Sequence, residues 1–106
     1  VQVEILHRHP EAVVVDSRDL LENPEEILRT FCRALGIPFE EAMLTWEPGR
    51  HHCYGVWAPF WYRNVEASTG FLPWQSKEEP FPVELDDLLA WASPLYEELR
   101  AARLVA

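Results

Sequence analysis

Apolar positions along the chain recur at helical spacing in several stretches and run continuously in one. Ile27, Leu28, Phe31 and Leu35 fall three and four residues apart, which predicts an amphipathic helix from about Pro24 to Leu35. Asn23 precedes it as a capping residue, Pro24 suits the first helical position, and Glu25 and Glu26 favour the positive end of the dipole. Gly36, followed by Ile37-Pro38, is a stop signal. Phe39 to Leu44 reads as a second, shorter helix. From Val83 onward Leu85, Leu88, Leu89, Ala92, Leu95, Leu99 and Ala102 mark a long helix, with a kink or break expected where Pro94 removes a donor. Ser17 to Leu21 allows one helical turn. The continuous run is Ala12-Val13-Val14-Val15, β-branched and apolar on both sides, as in a buried parallel strand. Val1 to Leu6 alternates apolar and polar, which fits a strand of period two or the end of a helix.

The middle of the chain is denser in rings than the rest. Between Trp46 and Trp74 lie Tyr54, Trp57, Phe60, Trp61, Tyr62 and Phe71. Rings of this size line a core or wall a pocket, since water solvates them poorly. Pro48-Gly49 and Gly55 exclude a single long helix, so a loop feeding a short helix at Pro59 that ends near Gly70 is expected. Trp61, four residues after Trp57 and four before Val65, is predicted to be largely buried.

Composition narrows the function classes. With 106 residues the chain is one domain, 1–106. A formal net charge of −9 excludes nucleic acid and anionic membrane as main partners, because both repel it. No apolar run approaches a transmembrane length and no signal-peptide pattern is present. Two cysteines are too few for a disulfide framework, which makes the cytoplasm the default location. The first residue is Val1, consistent with a C-terminal part of something longer.

Candidate chemistry is sparse. His51-His52-Cys53, with Cys32, His7 and His9, invites a metal reading, but structural zinc needs four convergent ligands and adjacent histidines point apart; no metal is expected. The paired acids such as Glu40-Glu41 and Glu97-Glu98 fit first helical turns and solvated faces better than acid–base catalysis. Arg63 with Ser68, Thr69 and Gly70 offers a guanidinium, two hydroxyls and a close-approach glycine, the groups that clasp phosphate. The same Ser-Thr-Gly sequence also serves ordinary helix capping.

Read together, Val14-Val15-Asp16-Ser17-Arg18-Asp19-Leu20, Asn23-Pro24-Glu25, Leu35-Gly36-Ile37-Pro38-Phe39 and Met43-Leu44-Thr45-Trp46 resemble the C-terminal half of P-loop sulfotransferases. Gly55-Val56-Trp57-Ala58-Pro59, Trp61-Tyr62, Ser68-Thr69-Gly70-Phe71 and Pro80-Phe81-Pro82 are similar to one branch, which includes the sulfotransferase-like segment of plant branched-chain-aminotransferase-like proteins. The resemblance runs from about Val13 to Arg103. It implies an α/β fold: the helix-rich C-terminal portion of a parallel-sheet protein, mostly helical as seen alone. It implies sulfuryl transfer from 3′-phosphoadenosine 5′-phosphosulfate to a hydroxyl or amine of a small-molecule acceptor. Arg63, Ser68, Thr69 and Gly70 would then meet the donor's 3′-phosphate, and Trp46, Trp57 and Tyr62 would face the acceptor.

The chain departs from the family at one point. The family's glycine-containing phosphate loop and catalytic base lie early in the chain, whereas Gly36, Gly49, Gly55 and Gly70 are the glycines here. No residue is therefore assigned a catalytic role, and no activity is expected of this chain alone. Its expected partner is an N-terminal half or another chain that supplies the loop. The alternative is a non-catalytic binding module derived from the same fold. In either case the lone strand at Ala12–Val15 leaves unpaired edges, through which a homo-oligomer could form.

Overall fold

The computed structural model describes residues 1–106. Helix α1 spans Gln2–Arg8, α2 Ser17–Glu22, α3 Pro24–Leu35, α4 Ala58–Trp61, α5 Arg63–Ala67 and α6 Asp86–Ala101. Short 3-10 turns occupy Glu41–Met43, His52–Tyr54 and Val83–Leu85. α3 forms where its pattern places it. Gly36 ends it in the left-handed region (φ 68°), with Gly36 N–H donating to Arg33 O and Ile37 N–H to Cys32 O. These bonds satisfy carbonyls that the helix end leaves orphaned. Asn23 flanks the other end, but its side chain makes no capping bond, so the expected side-chain cap is absent.

The α/β expectation is overturned. No strand forms, and extended pairing is confined to two isolated bridges, Val14 with Arg103 in parallel sense and Thr45 with Gly70 in antiparallel sense. A parallel sheet needs several extended segments side by side, and this chain has one β-branched run. Of the two forms open to Val1–Leu6, the helix is the one found, with Gln2 to Leu6 in α1 and Val1 at its N-cap. A strand there would have had no neighbour for its amides, whereas a helix satisfies its own, and Glu4 near the start with His7 and Arg8 at the end match the dipole. α1 packs on α6, where His7 hydrogen-bonds Glu98.

Other elements differ in extent. The Phe39–Leu44 helix shrinks to the Glu41–Met43 turn because Glu40 is extended. The helix expected from Pro59 to Gly70 divides into α4 and α5 at Tyr62 (φ −101°, ψ 13°). α6 runs unbroken through Pro94, with the Ser93 hydroxyl donating to Leu89 O at 2.7 Å in the turn that the proline disturbs.

Little of the chain is enclosed. Ile27, Cys32 and Ala58 are the buried residues, and the radius of gyration is 16.5 Å, where a compact domain of this length has about 13 Å. Trp61, expected inside, is 72 % exposed. It stacks on Trp57 with ring centroids 5.1 Å apart and planes 11° apart, so the two indoles shield each other and not a core. The loop after Phe71 is tied back by Trp74, over whose ring the Arg18 guanidinium lies at 4.4 Å.

α2 and α6 are joined by two polar ties. Tyr96 donates its hydroxyl to Asp16 (2.7 Å), and Arg103 donates Nε to Asp19 (2.7 Å). The Tyr96 hydrogen bond, with the Arg18 amide and the nearby Arg100 and Arg103 guanidinium groups, holds the Asp16 carboxyl below its ordinary 3.8. A carboxyl depressed by folding stabilises the native state above its unfolded value, and that contribution is lost as pH falls through the folded value. Thermal unfolding followed from pH 6 to pH 3 is expected to show a loss of stability below about pH 4. Asp16→Asn should flatten that loss. An unchanged slope in the variant would mean that Asp16 does not carry it.

Candidate functional site

The residues around α5 form a clasp. Trp46 N–H donates to Thr69 O (3.0 Å) and Gly49 N–H to Glu66 O (2.7 Å), which stitches residues 45–49 onto residues 66–70. The Trp46 indole donates Nε1–H to the Ser68 hydroxyl at 3.0 Å, and Ser68 donates its own proton to Val65 O at 2.8 Å. The Phe71 ring meets Trp46 edge to face at 5.3 Å. Gly70 lies close against the neighbouring backbone: a Cβ there would stand 3.1 Å from Leu44 O, so a side chain would push that carbonyl back by a few tenths of an ångström. Arg50 closes the outside of the clasp through Nε to Glu66 Oε1 at 2.6 Å and Nη2 to Oε2 at 3.3 Å. That guanidinium holds the Glu66 carboxyl below its ordinary range.

Trp46 thus meets the consecutive residues Ser68, Thr69 and Gly70 across a separation of 22 residues. Ser68 has one proton to give, and Val65 O takes it. Thr69 is exposed, and its hydroxyl has no protein partner; nor does the Arg63 guanidinium. Arg63 begins α5 and Thr69 lies beyond its extended C-cap, Ser68, so the two stand at opposite ends of the helix. Trp57 belongs to the exposed stack with Trp61, and Tyr62 meets Tyr54 edge to face at 5.4 Å. Neither makes an aromatic contact with Trp46. Arg50 and Glu66, which lock the clasp, carry no sequence signal, because a pair 16 residues apart follows no helical or strand period.

His51 donates from Nε2 to Glu47 O at 3.2 Å and stands with His52 beside a shallow cleft formed by Arg50, Gly55 and Val56. No three His, Cys, Asp or Glu side chains are grouped to hold a metal ion. A second cavity, of about 410 Å³, lies between α1, residues 12–17 and α6, with Ile5, Leu6, Val14 and Leu99 as apolar wall and Asp16 and Tyr96 at its polar end. No helix is long and apolar enough to cross a membrane.

Residues 2–103 match a family described as Sulfotransferase domain. Two Arabidopsis thaliana proteins, branched-chain-amino-acid aminotransferase-like proteins 1 and 2, are 43% and 42% identical over 88 and 87 residues, which is 83% and 82% of this chain. The match is 16% of each relative, so the chain spans about a sixth of their length. No solved structure matches.

Proposed function

The chain belongs to the sulfotransferase domain family, and on that premise we propose that it contributes one side of the donor and acceptor sites for sulfuryl transfer from 3′-phosphoadenosine 5′-phosphosulfate to a hydroxyl or amine. The observation that carries this reading is the clasp, which holds the Ser-Thr-Gly turn rigidly against Trp46 and leaves Thr69 and Arg63 without protein partners. In this assignment Arg63 and Thr69 bind the 3′-phosphate. Ser68 positions the turn through Trp46 and Val65, and Gly70 lets it lie against Leu44. In the same assignment the exposed ring of Trp57 and the half-buried ring of Tyr62 face the acceptor. The phosphate loop and catalytic base come from another segment or chain, so transfer requires that partner. The alternative, a binding module without chemistry, draws support from the absence of any glycine-rich loop in these residues.

The energetics set what this side of the site achieves alone. One guanidinium and one hydroxyl on a phosphate give about two charge-assisted hydrogen bonds, each worth about 1.5–3 kcal/mol. Immobilising the ligand costs several kcal/mol, and the net charge of −9 repels it. The balance is at best the roughly −4 kcal/mol of millimolar binding. In an NMR titration with 3′-phosphoadenosine 5′-phosphate at low salt, the amides of Arg63, Thr69 and Gly70 should shift with a dissociation constant in the millimolar range or weaker. Arg63→Ala with Thr69→Ala should abolish those shifts. Binding mapped to another surface, or micromolar binding indifferent to the double variant, would refute the assignment.

A further inference from the structure

We propose that the cleft formed by Arg50, His51, His52, Gly55 and Val56 binds a carboxylate of the acceptor, so that the acceptor is an acidic small molecule. Assigning the carboxylate to the acceptor rests on the sulfuryl-transfer reading; the anion site itself does not. In a chain of net charge −9, an arginine and two of the four histidines fall at consecutive positions, and no carboxylate lines the cleft they form. Arg50 turns its Nε–Nη2 edge to Glu66, which leaves the fork of Nη1 and Nη2 to match the two oxygens of a carboxylate. The His52 ring makes no hydrogen bond in the chain, and His51 uses only Nε2, on Glu47 O. The main-chain N–H groups of Gly55 and Val56 are likewise without a partner. A lining rich in free donors suits an oxyanion better than a cation.

The cleft takes its shape from within the chain. Its lining spans positions 50 to 56, and the bond from Gly49 N–H to Glu66 O, with the Arg50–Glu66 pair, ties that loop to α5. Gly55 sits in the left-handed region (φ 71°), which lets the chain turn from His52–Tyr54 toward α4. A row of rings joins the cleft to the acceptor side. His51 meets Tyr54 edge to face at 5.1 Å, Tyr54 meets Tyr62 at 5.4 Å, and Trp57 follows Val56 directly. An acceptor with an apolar body against these rings and an acid group at one end fits that order. Around the histidines stand Arg50, Glu47, Cys53 and Tyr54, with Glu66 paired to Arg50. Arg50 holds the Glu66 carboxyl below its ordinary range, so that pair stays charged from pH 8 to pH 6 while imidazoles gain protons. A bound carboxylate favours the charged imidazoles, so affinity rises as pH falls.

In an NMR titration at constant ionic strength, 4-hydroxyphenylacetate should shift the amides of His51, His52, Gly55 and Val56, and acetate should shift the same amides more weakly. The dissociation constant should fall about fivefold or more from pH 8 to pH 6 as the imidazoles gain charge. 4-Hydroxyphenylacetamide, which keeps the ring and hydroxyl without the charge, should bind about tenfold more weakly or worse. His51→Gln with His52→Gln retains a donor toward Glu47 O and should remove the pH dependence. Arg50→Lys retains a cation for Glu66 but loses the fork, and should weaken binding by about tenfold. The dispersion of the remaining amides reports that each variant is folded. Acetate that leaves residues 50–56 unmoved, or an affinity indifferent to pH and to the histidines, overturns the anion site and leaves the donor assignment at Arg63 and Thr69 to its own titration. Equal binding of acid and amide, or displacement of the acid from these amides by 3′-phosphoadenosine 5′-phosphate, overturns the acceptor as the source of the carboxylate.

Discussion

Trp46→Ala is expected to lower the free energy of unfolding by about 3 kcal/mol, whereas Trp61→Ala should cost less than about 1 kcal/mol. Trp46 is half-buried and makes three kinds of contact at once: the indole bond to Ser68, the edge-to-face contact with Phe71 and, through its backbone, the bond to Thr69. The variant leaves Ser68 short of a donor and removes the ring against which Phe71 packs. Trp61 loses only its stack on Trp57 and a ring that already faces water. Equilibrium urea unfolding of the two variants, side by side, measures the difference. Equal losses would show that the exposed indoles are covered in solution and that the clasp is less important than its bonds suggest.

Ile27→Ala should be comparably damaging, at about 2–4 kcal/mol. Ile27 is 4 % exposed and lies on the inner face of α3 with Cys32. Few side chains share this degree of enclosure, so the cavity has little surrounding mass that can relax into it. Small domains have about 5–15 kcal/mol in total, and this chain is more open than most. Urea midpoints with unchanged slopes would confirm a stability effect. A loss below about 1 kcal/mol would place the enclosed region elsewhere.

What could be read from the sequence follows from the range of the interactions involved. α3 was legible because its start, stripe and stop all lie within fourteen residues: Asn23-Pro24, the Ile27 to Leu35 spacing and Gly36. The family was legible too, since Asn23-Pro24-Glu25, Thr45-Trp46 and Ser68-Thr69-Gly70 carry the resemblance in short contiguous pieces. The clasp was not. Trp46 and Ser68 were both singled out, one for the acceptor and one for a phosphate, but nothing local says that they bond each other. Trp61 was misjudged because a ring four residues from another ring fits a core stripe as well as a mutual stack. The strand expected at Ala12–Val15 does not form for a related reason: its β-branched run specifies extended backbone, but a sheet also requires neighbours, which the rest of the chain spends on helices.

The bond from Leu104 to Val14 has a kinetic consequence. It joins the two ends of the chain, enclosing about ninety residues, where the bond from Trp46 to Thr69 encloses about two dozen. Closing the larger ring costs about 1 kcal/mol more in chain entropy before any contact rewards it. The helical hairpin of α2 and α3 is local and assembles first, on the microsecond scale of helix formation. The clasp follows. The meeting of α1, residues 12–15 and α6, which closes the larger ring, is expected to come last, after the rate-limiting step. Weakening Tyr96 to Asp16 or Arg103 to Asp19 therefore acts on the final step, and shortens the life of the folded chain more than it delays its formation.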